Sequence, residues 1–319
     1  MKILVTGCCG FIGSHLCEFL LQDSENQIIG IDILAIDDDH VRKEFNLEIL
    51  QNFDNFIFVQ EDICMSNIIK THSPQMVIHL AGLAGVRKSL EIPEKYIHTN
   101  VFGHTYLMKQ CMSHGVQRFI YASSSSVYGN RSSERPFEET DIIENVESPY
   151  ALSKHTCEKI TDILAKTTTM DCVGVRFFSV YGPRGRPDMA PFKFCDAILK
   201  GVPLEINGNG LQKRDYTYVG DVVQCLVKMI NHKKPIQGIY NIGYGSPVSI
   251  VQLVEYLEEY LGLKAQIQFK PSSTMDVDIT FCNNEKFKKE FEFCPQIDFK
   301  EGIYRMVQWM IQQHKMAKI

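Results

Sequence analysis

A strand-forming run, Lys2 to Val5, enters a turn with glycines at Gly7, Gly10 and Gly13 and leaves it in a segment with apolar residues at Ile12, Leu16, Phe19 and Leu20. Few arrangements satisfy all three parts. Glycines at such a turn let the backbone approach a pyrophosphate, and the helix that follows offers its first N–H groups to the phosphates. The motif therefore predicts a dinucleotide held by Gly7, Gly10, Phe11, Ile12 and Gly13, with strand and helix on either side as the motif requires.

The rest of the first half repeats this rhythm. Short β-branched runs recur at Lys2 to Val5, Gln27 to Asp32, Phe56 to Val59, Met76 to Leu80, Arg118 to Ala122 and Val173 to Phe177, separated by segments of helical period. Strand alternating with helix predicts an α/β fold, a Rossmann-type doubly wound parallel sheet covered on both faces. Beyond about residue 180 Pro- and Gly-rich punctuation takes over, followed by amphipathic stretches at Ser249 to Leu261 and Lys300 to Gln312. This predicts a nucleotide-binding domain over 1–180 and a smaller C-terminal α/β lobe over 181–319. Parts of about 215–245 return to the first domain, because they still read as Rossmann elements.

The second strand ends at Asp32, whose carboxylate suits both ribose hydroxyls of NAD and repels the extra phosphate of NADP. Asp37, Asp38 and Asp39 read as a solvated loop. Asp62 and Ile63, at the end of another strand, are placed to meet the adenine. A strand then runs into Ser123-Ser124-Ser125-Ser126, and Tyr150 precedes Lys154 at helical i,i+4 spacing. On one helix face the ammonium favours the phenolate, which makes Tyr150 a general base near neutrality, and Ser124 can hold the hydroxyl it deprotonates.

Composition narrows the classes. A chain of 319 residues with 45% apolar side chains can bury a large core without disulfides. Formal charge is −5, with no basic block interleaved with aromatics, so nucleic acid is not an expected partner. No membrane span or leader is expected, and the reading is a cytoplasmic protein. The 11 cysteines are an odd number set in apolar patterns, and Cys8-Cys9 has neither redox nor zinc spacing, so no metal is expected.

With the glycine turn, Asp32, the serine strand and the Tyr150/Lys154 pair in view, the chain resembles an extended short-chain dehydrogenase/reductase of the NAD-dependent epimerase/dehydratase family. The resemblance implies Ser124, Tyr150 and Lys154 as the catalytic set, Lys154 also on the nicotinamide ribose, and Leu80 and Ala81 beside the cofactor. Dehydratases and decarboxylases of the family carry acids just after the strand hydroxyl, where this chain has Ser125 and Ser126. The expected reaction is therefore oxidation at carbon 4 of a UDP-sugar and reduction from the other face.

The resemblance also places Arg214 on the diphosphate and Asp276 on the nucleotide ribose, with Ser273 and Thr280 where related epimerases carry larger residues. Ala84 to Pro93, Ala122 to Gly129 and Val180 to Phe192 are similar to UDP-glucuronate 4-epimerases in particular. In them Arg186 would face the sugar carboxylate, and Arg87, Ser125 and Ser179 would lie against the sugar. The loop after Asp32 departs from that subfamily, with Ile33, Ala35 and Ile36 in place of polar residues. UDP-N-acetylglucosamine or UDP-glucose epimerisation, keto-sugar reduction and a silent NAD-binding protein stay open as alternatives. A homodimer is what the resemblance implies for assembly.

Overall fold

The computed structural model describes residues 1–34, 40–131, 135–271 and 277–316. Six strands build the main sheet in parallel register: β1 (Lys2–Thr6), β2 (Gln27–Asp32), β3 (Phe56–Gln60), β4 (Met76–His79), β5 (Arg118–Ser124) and β6 (Asp171–Phe177). Their spatial order is β3-β2-β1-β4-β5-β6, and Gly238–Ile242 adds a seventh strand beside β6. The order reverses direction at β1, and in sheets of this kind a dinucleotide binds beyond the carboxyl ends of the strands at that reversal. Leu4, Ile29, Val77 and Phe119 are completely buried, as strands covered on both faces must be.

Two compact units result, Met1–Gly129 with Glu139–Phe177 and Leu226–Asn241, and Asn130–Glu138 with Phe178–Cys225 and Ile242–Ile319. The range 1–180 thus loses Asn130–Glu138 to the second unit, because Phe137 bridges Cys282 there and exchanges backbone hydrogen bonds with Phe281 and Asn283. In the first unit the guanidinium of Arg118 donates to the carbonyls of Met229 and His232 at 2.7 and 2.8 Å and closes the end of helix Val219–Ile230.

Among the described residues the second unit carries three small sheets. Its core joins Phe194, Leu253, Leu257, Ile303 and Met306 from three helices. Ser249 caps helix Ile250–Leu261 in a reciprocal box with Gln252. Asp215, fully buried, accepts N–H bonds from Tyr244, Gly245 and Cys282, each at 3.0 Å, and so ties two loops to the chain just after strand Lys213–Arg214. Among the described residues no helix is long and apolar enough to cross a membrane. All eleven cysteines are free.

Candidate active site

The glycine turn is fixed by two close approaches. Gly7 has φ +69°, and a Cβ there would lie 2.8 Å from the backbone nitrogen of Ala81, so the chain leaving β1 and the chain leaving β4 touch. At Gly13 a Cβ would strike the carbonyl oxygen of Gly7, so the helix can sit this close only without a side chain. Helix Phe11–Leu21 then begins at the carboxyl end of β1, and its first turn has the orphan N–H groups of any helix. Both glycines thus let backbone pack on backbone, which keeps the turn tight against the helix N-terminus where a pyrophosphate would be held.

Asp32 closes β2 and is 7% exposed. Its Oδ1 accepts from Leu34 N–H at 3.2 Å and from the Lys43 ammonium at 3.1 Å, and its Oδ2 accepts from Cys9 N–H at 3.2 Å. Lys43 has no signal in the sequence that links it to Asp32. Asp62 accepts from Cys64 N–H at 2.9 Å and caps the turn after β3, while Ile63 is buried with its Cδ1 toward Gly103. Leu80 lies just past β4, where its N–H reaches the Thr6 carbonyl at 3.2 Å, and Ala81 N–H reaches the Thr6 hydroxyl at 3.1 Å. Asp37 to Asp39 lie outside the described residues.

The catalytic candidates are joined to this edge through the backbone. Helix Pro149–Ala165 starts with Ser148 accepting from Ala151 N–H and Pro149 in its first turn, which places Tyr150 and Lys154 on one face. Lys154, 8% exposed, donates to the Ala122 carbonyl of β5 at 2.9 Å. A Cβ on Gly82 would stand 3.3 Å from the Lys154 nitrogen, so the chain leaving β4 borders the ammonium. Ser124 ends β5, and its Oγ accepts from Ser126 N–H at 3.1 Å and lies 3.1 Å from Ser126 Oγ. Ser125 opens the short turn that follows. Burial, aided by the Lys154 charge, holds His104 at about 3, so the imidazole is neutral beside this lysine.

Sequence reasoning missed Asn100. It sits in the π-helical turn Ile97–Phe102, and its amide clamps Leu83 through both N–H (2.8 Å) and carbonyl (3.0 Å) while donating to Ser153 at 2.9 Å. One side chain thereby fixes the loop after β4 to the residue next to Lys154. A polar residue of weak helix propensity inside a helical stretch was the available signal. Tyr96 was missed too; its ring meets that of Tyr150 edge-on at 6.1 Å. Arg87 is exposed on helix Val86–Glu91.

The second unit holds the remaining candidates. Ser179 begins a strand that pairs in parallel with Tyr216–Tyr218. Arg186 lies in the loop that follows and grips Asp188 through Nε (3.0 Å) and Nη2 (2.5 Å). Arg214 pairs in register with Thr280, and its Nη1 donates to the carbonyls of Lys213 and Val277. Ser273 and Asp276 lie outside the described residues.

Comparison with known proteins decides the family. The model of the NAD dependent epimerase/dehydratase family matches residues 3–243. The chain belongs to this family. A UDP-glucuronate 4-epimerase of Thermodesulfobacterium geofontis is 37% identical over 99% of the chain and 98% of that protein. The structure of a Bacillus cereus UDP-glucuronic acid 4-epimerase with UDP-glucuronic acid and NAD superposes with TM-score 0.93 at 32% identity, covering 98% of this chain and all of that one. A UDP-N-acetylglucosamine 4-epimerase of Methanobrevibacter ruminantium gives TM-score 0.88 at 28% identity, with 98% of each chain covered. The chain is therefore an NAD-dependent enzyme of an epimerase family. The turn at Gly7 and Gly13 and the buried Asp32 are the features that fit NAD.

Asp32→Asn is expected to weaken NAD binding about tenfold and to narrow the preference for NAD over NADP, because Lys43 loses its counter-charge and becomes free to attract a 2′-phosphate. Calorimetric titration with both nucleotides measures it. An unchanged NAD to NADP ratio would remove Asp32 from the ribose site.

Proposed function

We propose that this enzyme is a UDP-glucuronate 4-epimerase. Tyr150 takes the proton of the 4-hydroxyl, Lys154 keeps the phenolate accessible and holds the nicotinamide ribose, and Ser124 orients the hydroxyl. NAD held by the glycine turn and Asp32 would supply reversible hydride transfer at carbon 4, by way of a transient 4-keto sugar. The cofactor is thus not consumed. Ser125 and Ser126 supply neither the acid nor the base that elimination needs at neutral pH, which supports epimerisation over dehydration. Arg214 serves the diphosphate in this reading, and Asp276 the nucleotide ribose.

The observation that carries the choice of sugar is the fork of Arg186 on a carboxylate. Asp188, its partner, is two residues away with a side chain 57% exposed. Such a pair is worth little and exchanges readily. The guanidinium is therefore already arranged for two carboxylate oxygens, and a glucuronate carboxylate can replace those of Asp188. The similarity to the T. geofontis and B. cereus enzymes supports the same sugar.

A charge-assisted contact of this kind contributes about 1.5–3 kcal/mol, or about ten- to a hundredfold. Arg186→Ala is expected to lower kcat/KM for UDP-glucuronate by that factor and to leave UDP-glucose and UDP-N-acetylglucosamine almost unaffected. Wild-type enzyme that ignores UDP-glucuronate but epimerises the N-acetyl sugar would overturn the substrate while leaving the 4-epimerase chemistry in place.

A further inference from the structure

Cys8 and Cys9 stand inside the glycine turn, and neither is exposed. Their sulfurs are 3.6 Å apart. With the Asp32 carboxylate they form three potential ligand atoms within 4.8 Å of one another, all buried, the one such group among the described residues. We infer that Cys8, Cys9 and Asp32 bind a single thiophilic divalent cation of the zinc or cadmium class, and that this cation and NAD exclude each other. The second half of the inference rests on Asp32 as the ribose anchor.

Coordination lengths support it. Zinc lies about 2.3 Å from a thiolate and about 2.0–2.2 Å from a carboxylate oxygen. Two sulfurs at that distance from an ion and 3.6 Å from each other subtend an angle close to tetrahedral. The oxygens of Asp32 are already divided: Oδ1 holds Lys43 and Leu34 N–H, while Oδ2 faces the cysteines with one N–H bond, from Cys9. A short movement of Oδ2 gives the third ligand, and water can take the fourth place. Lys43 stays beside the carboxylate and offsets the charge of two thiolates and one carboxylate around a divalent ion.

The step is an exchange without oxidation. Both S–H bonds break, two sulfur–metal bonds form, and two protons leave for solvent. Because those protons are released, uptake strengthens with rising pH. When the cation takes Oδ2 and the turn closes on it, the ribose loses its acceptor. The consequence is loss of cofactor, so the metal acts as an inhibitor and has no part in catalysis.

The test is a titration of the purified full-length protein with Cd²⁺, following the ultraviolet thiolate-to-cadmium band and the NAD released into an ultrafiltrate. One cadmium per chain is expected, with NAD appearing in step with the band and a chelator reversing the band. Cys8→Ala/Cys9→Ala should lose the band and keep its NAD in Cd²⁺. Should that variant fail to fold, Cys8→Ser and Cys9→Ser keep the side-chain size and should each weaken binding by at least about tenfold. No band, a band that survives the cysteine substitutions, or a band that grows while NAD stays bound overturns the inference. The NAD content of Asp32→Asn without metal tests the ribose reading by itself.

Discussion

Tyr150→Phe is expected to lower kcat by about 10²- to 10⁴-fold while leaving nucleotide binding largely intact. The substitution keeps the ring and its edge-on contact with Tyr96 at 6.1 Å, and removes only the oxygen that takes the substrate proton. Lys154→Ala should act differently. It removes the ammonium and also leaves the Ala122 carbonyl without its 2.9 Å donor, so both rate and cofactor retention fall. Single-turnover rates and the NAD content of the purified variants separate the two effects. Turnover of Tyr150→Phe within a few-fold of wild type would place the base elsewhere.

The parts of this protein that were legible in its sequence are those encoded locally. Gly7, Gly10 and Gly13 mark a turn whose neighbours are sequence neighbours, and Tyr150 with Lys154 is a spacing on one helix. The alternation of strand and helix gave the sheet for the same reason. Strand ends were less legible. The apolar run stops at Ala122, yet β5 continues through Ser124, because Ser123 and Ser124 keep their backbone pairing with Arg176 and Phe177 and find side-chain partners in Glu158 and Ser126. At the other end of the series, Leu80 lies beyond β4 although it is apolar.

Long-range partners were not legible at all. Asn100 meets Ser153 across 53 residues of chain, and no period or motif joins them. Lys43 finds Asp32 only because a helix brings it back to the end of β2. The assignment of Asn130–Glu138 to the second unit depends on a bridge between Phe137 and Cys282, which chain order gives no reason to expect.

Another such pair supports the second large effect. Glu158, one helical turn beyond Lys154, accepts from Arg176 Nε at 2.8 Å and Nη2 at 2.7 Å and from Ser123 Oγ at 2.6 Å. The guanidinium also lies 4.6 Å over the Tyr128 ring. These bonds tie the helix of Tyr150 to the strand of Ser124. Both charges are buried, so their net gain over an apolar pair is small, but removing one partner strands the other at a cost of about 3–5 kcal/mol. Arg176→Met should show that loss as a lower urea midpoint at neutral pH.

The pH dependence identifies the cause. Burial alone would push the Glu158 carboxyl up, but Arg176, His155 and Ser123 outweigh it and hold the group at about 2. A carboxylate depressed on folding contributes stability that is present above its unfolded range near 4.5 and lost as pH falls toward about 2. Without Arg176 the sign reverses, since burial then dominates and protonation relieves the stranded charge. The deficit of Arg176→Met should therefore be largest at neutral pH and shrink as the solution is made mildly acidic. Glu158→Gln/Arg176→Met, with neither charge, should recover much of the loss at neutral pH. It should also recover activity, because a stranded Glu158 carboxylate competes for the Lys154 ammonium from the same helix face. A deficit that is flat with pH, or a double variant no better than the single one, would show that Arg176 acts through its packing over Tyr128 and not through the buried charge.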